Sequence, residues 1–281
     1  MTLYAAAVAL LACPECGGDL ELIERVLRCP RRHSFDVSRH GYVRLATGAP
    51  TRIAGDTAAM VAARERFLAA GHFAPIAAAV RAAAIGDDSP VDSRILEVGA
   101  GTGYYLADVL TGLPGASGVG LDVATPAVRR LARAHPQAVA VAADVRRPLP
   151  IRSGVVSHVL SVFAPRPVAE LARVMAPGGR YVLVTPTGRH LTELIDDFAM
   201  IRVDPDKQRR VDAALASLFA PIARQPIDFS MNLDHADVAA LIGMGPSARH
   251  GEPEQRSARL AALPDRLEVT GSVQVTTFRR G

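Results

Sequence analysis

Several residue types are scarce in this chain of 281 residues, and each scarcity excludes a class of protein. Tryptophan is absent, only three cysteines occur, and Lys207 is the single lysine. Three cysteines cannot build the dense disulfide framework of a small secreted domain. No apolar run approaches the about 20 residues that a membrane-spanning helix needs. With 49% hydrophobic and 21% charged residues, the composition predicts a globular protein with a well-buried core.

The start of the chain allows two interpretations of Cys13. The letters LLAC, residues 10 to 13, match the cleavage box of a secreted lipoprotein, whereas CPEC, residues 13 to 16, has the shape of a metal knuckle. Residues 2 to 24 contain no Lys or Arg, although a signal peptide normally begins with positive charge. We therefore expect a cytoplasmic protein without membrane association. The apolar segment Leu3 to Ala12 is expected to pack against a zinc module or a subunit partner.

All three cysteines lie in the first tenth of the chain and combine with one histidine in the spacing C-x2-C-x12-C-x3-H. The predicted ligands are Cys13, Cys16, Cys29 and His33. Three thiolates and one imidazole form a closed tetrahedral zinc set. The intervening letters LELIERVLRC predict the short hairpin of a zinc ribbon. Because a closed set has no position for substrate, we expect the zinc to be structural, in a module too small to fold on its own core.

Residues 1–48 form this predicted zinc module, and they are rich in arginine. The net charge of +4 is compatible with a polyanionic partner but does not require one. The arginines could form a solvated rim, or a surface that binds RNA phosphates, since guanidinium groups fit phosphate geometry. The candidates for RNA binding are Arg28, Arg31, Arg32, Arg39 and Arg44.

A helical linker is predicted over residues 49–90. The stretch from Gly55 to Ala84 is rich in alanine, with Asp56-Thr57 able to cap its start and Gly71-His72 able to break it in two. Residues 93–98 then read as a buried strand that runs into a glycine-rich loop. A strand, a glycine loop and a helix form the first unit of a doubly wound sheet, which we predict for residues 91–281.

The spacing of the glycines indicates which nucleotide the loop binds. In Glu97-x-Gly99-x-Gly101-x-Gly103, Tyr104 stands where a dinucleotide fingerprint has its third glycine, so NAD is not predicted. The pattern resembles the motif of class I S-adenosylmethionine-dependent methyltransferases. Two acids follow later strands: Asp122, expected to accept the ribose hydroxyls, and Asp144, expected near the adenine amino group.

The alternation of strands and helices continues to the end of the chain. Further strands are predicted at 118–122, 138–142, 155–162, 181–185, 227–231 and 267–278, with helices at 167–175, 204–219 and after residue 234, and a turn at 177–179. Together with residues 93–98, this count predicts an α/β fold with the seven-stranded, Rossmann-like sheet of a class I methyltransferase.

The joint arrangement resembles the bacterial 23S rRNA guanine-N1-methyltransferases, including those that confer resistance to tylosin-type macrolides. The marks of the resemblance run from the zinc ligands to at least Pro246 and cover most of the chain. They are CPECGG, CPRRHSFDVSRHGYVRL, GDTAAMVAARERFLAAGHFAPI, GAGTGYY, GLDV, FAPR, LARVMAPGGR, TPTGRHLTEL and MGPSARH. The resemblance implies methyl transfer to a hairpin-loop guanine of domain II, at position 748 or otherwise 745 of the rRNA. It also implies macrolide resistance and a homodimer.

Carried over by position, the resemblance implies zinc at the four ligands named above and cofactor contacts at Gly101, Thr102, Phe73 and His190. Phe73 stands where many relatives have tyrosine, so a hydroxyl contact is lost while apolar contact remains. Without the resemblance, Phe73 would be interpreted as a core residue and His190 as a surface residue.

The chemistry of the reaction leaves the catalytic residue unassigned. Guanine N1 carries a proton at neutral pH, so a general base must accept it, with water or a carboxylate as candidates. Phe163 to Arg166, the letters FAPR, stand where many amino-methylating enzymes have an Asn/Asp-Pro-Pro-aromatic clamp, and the acid of that clamp is missing here. Phe163 could stack on an unpaired or flipped guanine, or pack in the core.

Two other functions remain open on the sequence. One is a class I methyltransferase with a small-molecule acceptor, because this fold serves many acceptors. The other is a zinc-ribbon protein that binds nucleic acid without turnover. The intact Glu97, Asp122 and glycines argue against loss of activity, and the arginine-rich zinc module argues against a free small acceptor.

Overall fold

The computed structural model describes residues 4–46, 55–86, 90, 92–204, 206–245 and 253–281. The predicted domain boundaries at 48/49 and 90/91 and most of the motif MGPSARH lie outside the described residues. The N-terminal part contains α1 (Ala5–Val8), β1 (Glu21–Ile23), β2 (Val26–Arg28), β3 (Ser34–Asp36) and β4 (Tyr42–Arg44), followed by α2 (Ala58–Ala69) and α3 (Ala74–Ala84). The remaining elements are β5 (Arg94–Val98), α4 (Tyr104–Thr111), β6 (Ser117–Asp122), α5 (Thr125–Leu131), β7 (Ala138–Ala142), β8 (Val156–Val162), α6 (Val168–Val174), β9 (Met175–Pro186), α7 (Thr192–Ile195), α8 (Lys207–Leu215), β10 (Phe219–Leu233), α9 (His235–Met244), α10 (Pro253–Ala261) and β11 (Leu267–Arg280).

The central sheet has the strand order β10-β11-β9-β8-β5-β6-β7-β4. Strands β5 to β9 pair in parallel, and β11 and β10 close one side in antiparallel pairing. The seven predicted strands are all present, but the sheet has eight. The additional strand, β4, comes from the predicted zinc module and pairs in parallel with β7 from Tyr42–Ala140 to Arg44–Ala142. A three-residue strand with one fully buried side chain, Val43, is too short to show periodicity in the sequence.

Helices α2 and α3 form the predicted linker pair and meet at a bend of 82°. The Thr57 hydroxyl accepts a hydrogen bond from the Met60 N–H at 3.2 Å and caps α2, as predicted. The break falls at residues 70–73, which include the predicted Gly71-His72, and places Phe73 at the start of α3. No single helix among the described residues is long and apolar enough to cross a membrane, although the bent pair α2–α3 passes that test when its two helices are combined.

The apolar lead-in is the segment Leu3 to Ala12, which is expected to pack against the zinc module or a subunit partner. Its described residues pack mainly on the large sheet. The Ala12 N–H donates to the Pro150 carbonyl at 3.0 Å, and the Arg152 N–H donates to the Leu10 carbonyl at 2.9 Å. Leu10 and Leu11 are at most 2% exposed and share a core with residues of β5, β6 and β7. Helix α1 also contacts β1, so the lead-in joins the zinc module to the sheet.

Other element bounds differ from the prediction in the last third of the chain. The strand predicted at 227–231 is the fifteen-residue β10, and the helix predicted at 204–219 is limited to α8. Residues 177–179, predicted as a turn, lie in the first part of β9, where its pairing with β8 is irregular. Pairing with β11 along its whole length extends β10 through exposed residues that have no apolar alternation.

Candidate active site and zinc centre

The four predicted zinc ligands converge, with Cys13 and Cys16 in the segment before β1 and Cys29 and His33 in the turn between β2 and β3. Their ligand atoms all lie within 4.8 Å of one another. The Sγ atoms of Cys16 and Cys29 are 3.7 Å apart, and His33 Nδ1 is 3.4 Å from Cys29 Sγ and 3.5 Å from Cys13 Sγ. With Zn–S near 2.3 Å and Zn–N near 2.0 Å, the edges of a tetrahedral site are roughly 3.5–3.8 Å. The donor set therefore fits one tetrahedral zinc ion.

Backbone hydrogen bonds hold the two ligand pairs in knuckle turns. The Cys13 N–H donates to the Gly18 carbonyl at 2.7 Å, and the Cys29 N–H donates to the His33 carbonyl at 3.1 Å. Burial raises the pKa of Cys13 to about 11. Burial also raises the pKa of Cys29, but hydrogen bonds from the His33 backbone and the Cys16 thiol outweigh it and bring the value to about 7. A bound cation would favour the thiolate at every cysteine of the set.

A cavity of about 640 Å³ opens where β5, β6, β7 and β8 end. This is the edge at which doubly wound sheets bind ligands. Eight of the nine residues predicted to bind the cofactor line it: Phe73, Glu97, Gly99, Gly101, Thr102, Asp122, Asp144 and His190.

Gly103, the ninth predicted residue, does not line the cavity. It has a φ of +82° at the start of α4, and a Cβ there would lie 2.5 Å from Leu131 Cδ1 and 3.0 Å from Ala134 Cβ. Close packing of α4 against α5 therefore requires this glycine, and the predicted cofactor contact of Gly103 stays a prediction. Gly99 differs, because it lines the cavity, has a φ of +65° and lies where a Cβ would be 2.7 Å from Ala164 Cβ.

Two carboxyl groups face the cavity from the ends of β5 and β6. Glu97 is 1% exposed and accepts a hydrogen bond from the Leu106 N–H at 3.1 Å. Burial raises the pKa of Glu97 to about 8, because the charged form loses its hydration. Asp122 accepts the Gly101 N–H on one oxygen and the Ala124 N–H on the other, both at 2.8 Å. Burial raises the pKa of Asp122 as well, and these two hydrogen bonds oppose that shift.

Asp144 lies at the end of β7, on the side of the cavity away from Glu97. Its carboxylate accepts the Arg146 N–H at 3.1 Å and pairs with the Arg146 guanidinium at 3.2 Å. The side chain of Asp144 is 11% exposed. Carboxyl groups at the ends of three successive strands thus border one cavity.

Three rings meet at the mouth of the cavity. The rings of Phe163 and His190 stack at 5.7 Å with an interplanar angle of 26°, and Phe73 lies 6.2 Å from Phe163 and 6.0 Å from His190. Phe73 is 3% exposed, whereas Phe163 is 42% exposed and has a φ of +53°. Only strong support from the surroundings keeps a bulky residue in this conformation. His190 Nδ1 accepts the Ser272 N–H at 3.1 Å, so the proton of the neutral ring is on Nε2.

The five arginines predicted to bind RNA do not form one group. Arg28 and Arg32 line a second cavity beside Cys29, and Arg31 lies exposed between Cys29 and His33. Arg39 instead precedes β4 and Arg44 is its last residue, and Arg44 Nη2 donates to the hydroxyl of Thr125, the first residue of α5, at 3.1 Å.

Comparison with known proteins identifies the family. Residues 11–46 match the family model of the RlmA N-terminal zinc ribbon, and residues 96–183 match the model of a methyltransferase domain. A Streptomyces fradiae protein named 23S rRNA (guanine(748)-N(1))-methyltransferase is 42% identical over 97% of both chains. A Micromonospora griseorubida protein, whose name gives 23S rRNA (guanine-N(1)-)-methyltransferase as an expected activity, is 43% identical over 96% of this chain and 97% of its own. The chain belongs to the 23S rRNA (guanine-N1)-methyltransferase family.

Solved structures agree with this methyltransferase in fold. A Bacillus halodurans protein of expected methyltransferase activity aligns with a TM-score of 0.51 at 15% identity, over 72% of this chain and 97% of its own. A chain from a Haloferax volcanii complex of the Trm112 methyltransferase activator with a methyltransferase aligns with a TM-score of 0.50 at 18% identity, over 81% and 98%. The predicted class I fold with an N-terminal zinc module is confirmed. S-adenosylmethionine is accordingly the cofactor of this methyltransferase, and zinc is its structural metal.

The sequence did not predict part of the wall of the methyltransferase's cavity. Arg64 of α2 pairs with Asp56 at 2.6 Å and donates to the Met244 carbonyl at 2.9 Å, so it joins α2 to the end of α9 across the cavity. The apolar part of this wall comprises Met60, Leu68, Met200, Leu241 and Met244. Apolar residues on helices give no signal that separates a cavity wall from a core.

Proposed function

We propose that this chain transfers the methyl group of S-adenosylmethionine to N1 of a guanine in the domain II hairpin of 23S rRNA. Guanine 748 is the proposed position and guanine 745 the alternative. The proposed biological effect is resistance to tylosin-type macrolides. The protein is proposed to act in the cytoplasm. The observation that carries the proposal is the 42% identity, over 97% of both chains, with the Streptomyces fradiae relative whose name specifies guanine 748.

The carboxyl groups of the cavity suit a cofactor with a cationic end and a ribose. Each oxygen of Asp122 accepts one backbone N–H and keeps a second lone pair, so the two oxygens can accept two ribose hydroxyls. Glu97 is buried beside the glycine loop, where its carboxylate form would attract the ammonium group of the cofactor. Asp144 borders the position proposed for adenine. His190 also lines the cavity, and its Nδ1 already accepts the Ser272 N–H, so this nitrogen is not available as a general base.

Phe163 is proposed to receive the target guanine. Its exposed ring stands at the mouth of the cavity, and stacking on an aromatic ring stabilises an unstacked base by about 1–3 kcal/mol. Stacking there would hold guanine N1 in line with the methyl group, which is the main requirement of the displacement. Ala164 and Pro165 follow Phe163 along the wall and carry no acid. The N1 proton of guanine must therefore be accepted by water or by a carboxylate elsewhere in the cavity.

Methyl transfer to defined RNA substrates tests this function. The protein is incubated with labelled S-adenosylmethionine and a domain II hairpin transcript, and the modified nucleoside is identified after nuclease digestion. We expect N1-methylguanosine that disappears when guanine 748 is replaced by adenine and persists when guanine 745 is replaced. The reverse pattern would assign guanine 745. Label that enters only small molecules, or no label in RNA at all, would overturn the proposal.

A homodimer remains a prediction from the family resemblance. Sedimentation of the purified protein with and without the hairpin transcript measures the oligomeric state directly.

A further inference from the structure

Basic residues from two distant parts of the chain meet along β4 and α5. Strand β4 pairs in parallel with β7, and α5 packs against β6 and β7, so β4 and α5 lie next to each other. At the carboxyl end of β4, Arg44 contacts Thr125 at the start of α5. Helix α5 runs from the carboxyl end of β6 back to the amino end of β7, so its last turn lies at the same end of the sheet as Arg39 and His40, which precede β4.

The amino end of β4 carries a concentration of positive charge. Arg39, Arg129 and Arg133 are exposed, and Arg39 Nε donates to His40 Nε2 at 3.3 Å. Burial lowers the pKa of His40, and the charges of Arg129, Arg39 and Arg133 lower it further. The three guanidinium groups and this imidazole lie at the same end of β4 and α5, because β4 is parallel to β7 and α5 leads back to the amino end of β7. We call Arg39, His40, Arg44, Arg129 and Arg133 the β4–α5 surface.

Nothing in the described part of the chain neutralises this charge. No described carboxylate forms an ion pair with Arg39, Arg129 or Arg133, whereas the adjacent Arg130 pairs with Glu65 at 2.7 Å. Arg129 and Arg133 are also separated by four residues, a spacing at which like charges on one face of a helical segment repel each other. A bound anion would relieve that repulsion.

The location of the surface indicates which anion it suits. Thr125 begins α5 three residues after Asp122, which lines the cofactor cavity, so the surface runs from the zinc module to the edge where the cavity opens. Resting on the proposed function, we infer that the β4–α5 surface binds successive phosphates of the substrate RNA while the target guanine enters the cavity. Guanidinium groups are suited to phosphate oxygens, and a nucleic acid strand supplies these at regular intervals.

The test replaces Arg129 and Arg133 together with alanine and measures binding of the hairpin transcript by fluorescence anisotropy over a range of KCl concentrations. Each lost phosphate contact reduces the slope of log K against log salt by roughly 0.7–0.9, so the double variant should lose about 1.4–1.8 from the slope. We expect affinity for the hairpin to fall by about tenfold or more at 100 mM salt. Calorimetric affinity for S-adenosylmethionine should not change.

Arg209→Ala with Arg210→Ala is the matched control, because it removes the same charge from α8, where both arginines are exposed and pair with Asp206 and Asp204. Equal losses in the two double variants would mean that only net charge matters, and an unchanged slope in the Arg129/Arg133 variant would mean that no phosphate is bound there. Either result overturns the inference while leaving the proposed function intact. If the unmodified protein neither binds nor methylates the hairpin, both proposals fail.

Discussion

The buried carboxyl group of Glu97 makes a specific prediction about stability and pH. Burial raises its pKa in the folded protein from an ordinary value of 4.5 to about 8. Below pH 4.5 the group is protonated in both the folded and the unfolded chain and favours neither. Between pH 4.5 and about 8 the unfolded chain releases the proton while the folded protein keeps it. The free energy of unfolding therefore falls as the pH rises through this window.

The magnitude follows from the width of that window. At about 1.4 kcal/mol per pH unit, Glu97 alone lowers the free energy of unfolding by about 5 kcal/mol between pH 4.5 and 8. Glu97→Gln has the shape of the protonated side chain and can still accept the Leu106 N–H. The variant should therefore match the wild type near pH 4.5 and exceed it in stability by an amount that grows to about 5 kcal/mol at pH 8.

Urea unfolding of the cofactor-free protein at several pH values measures this difference. Glu170→Gln is a control for which the stability difference has the opposite sign. Hydrogen bonds from Arg173 lower the pKa of Glu170, so its carboxylate stabilises the folded protein, and this contribution is lost as the pH falls. We also expect Glu97→Gln to bind S-adenosylmethionine more weakly, so that stability and binding change in opposite directions. A stability difference that does not vary with pH would refute the reasoning.

Three further predictions concern single positions. Gly99→Ala should weaken cofactor binding about tenfold in calorimetry and lower the melting temperature, because a left-handed conformation costs an L-residue about 1–2 kcal/mol and the new Cβ would meet Ala164. Cys16→Ser should abolish zinc in metal analysis and weaken hairpin binding, since a structural zinc site contributes directly to folding; normal zinc content would refute the ligand assignment. Phe163→Ala should raise the KM for the hairpin about 5- to 150-fold, equivalent to 1–3 kcal/mol of stacking, and leave cofactor affinity unchanged, whereas Phe163→Trp should preserve the KM.

Local sequence patterns were sufficient to predict the features of this protein that depend on neighbouring residues. The spacing of the cysteines and His33 predicted the zinc ligand set, because two knuckle turns need only neighbouring residues. The glycine loop after a buried strand, with Asp122 at the end of the next strand, predicted the class of cofactor for the same reason. The fold class followed from the alternation of strands and helices, and the two helices of the linker from a cap and a glycine break.

Contacts between distant segments, in contrast, became visible only in the folded structure. Strand β4 pairs with β7, which lies almost a hundred residues further along the chain. A strand of three residues shows too little periodicity for this pairing to be predicted from the sequence. The packing role of Gly103 depends on Leu131, which the chain order does not place near it. The stacking of Phe163 on His190 and the hydrogen bond from Arg44 to Thr125 likewise join positions far apart in sequence. Contacts of this kind depend on strand order and helix packing, and they cannot be predicted from the local patterns of one sequence.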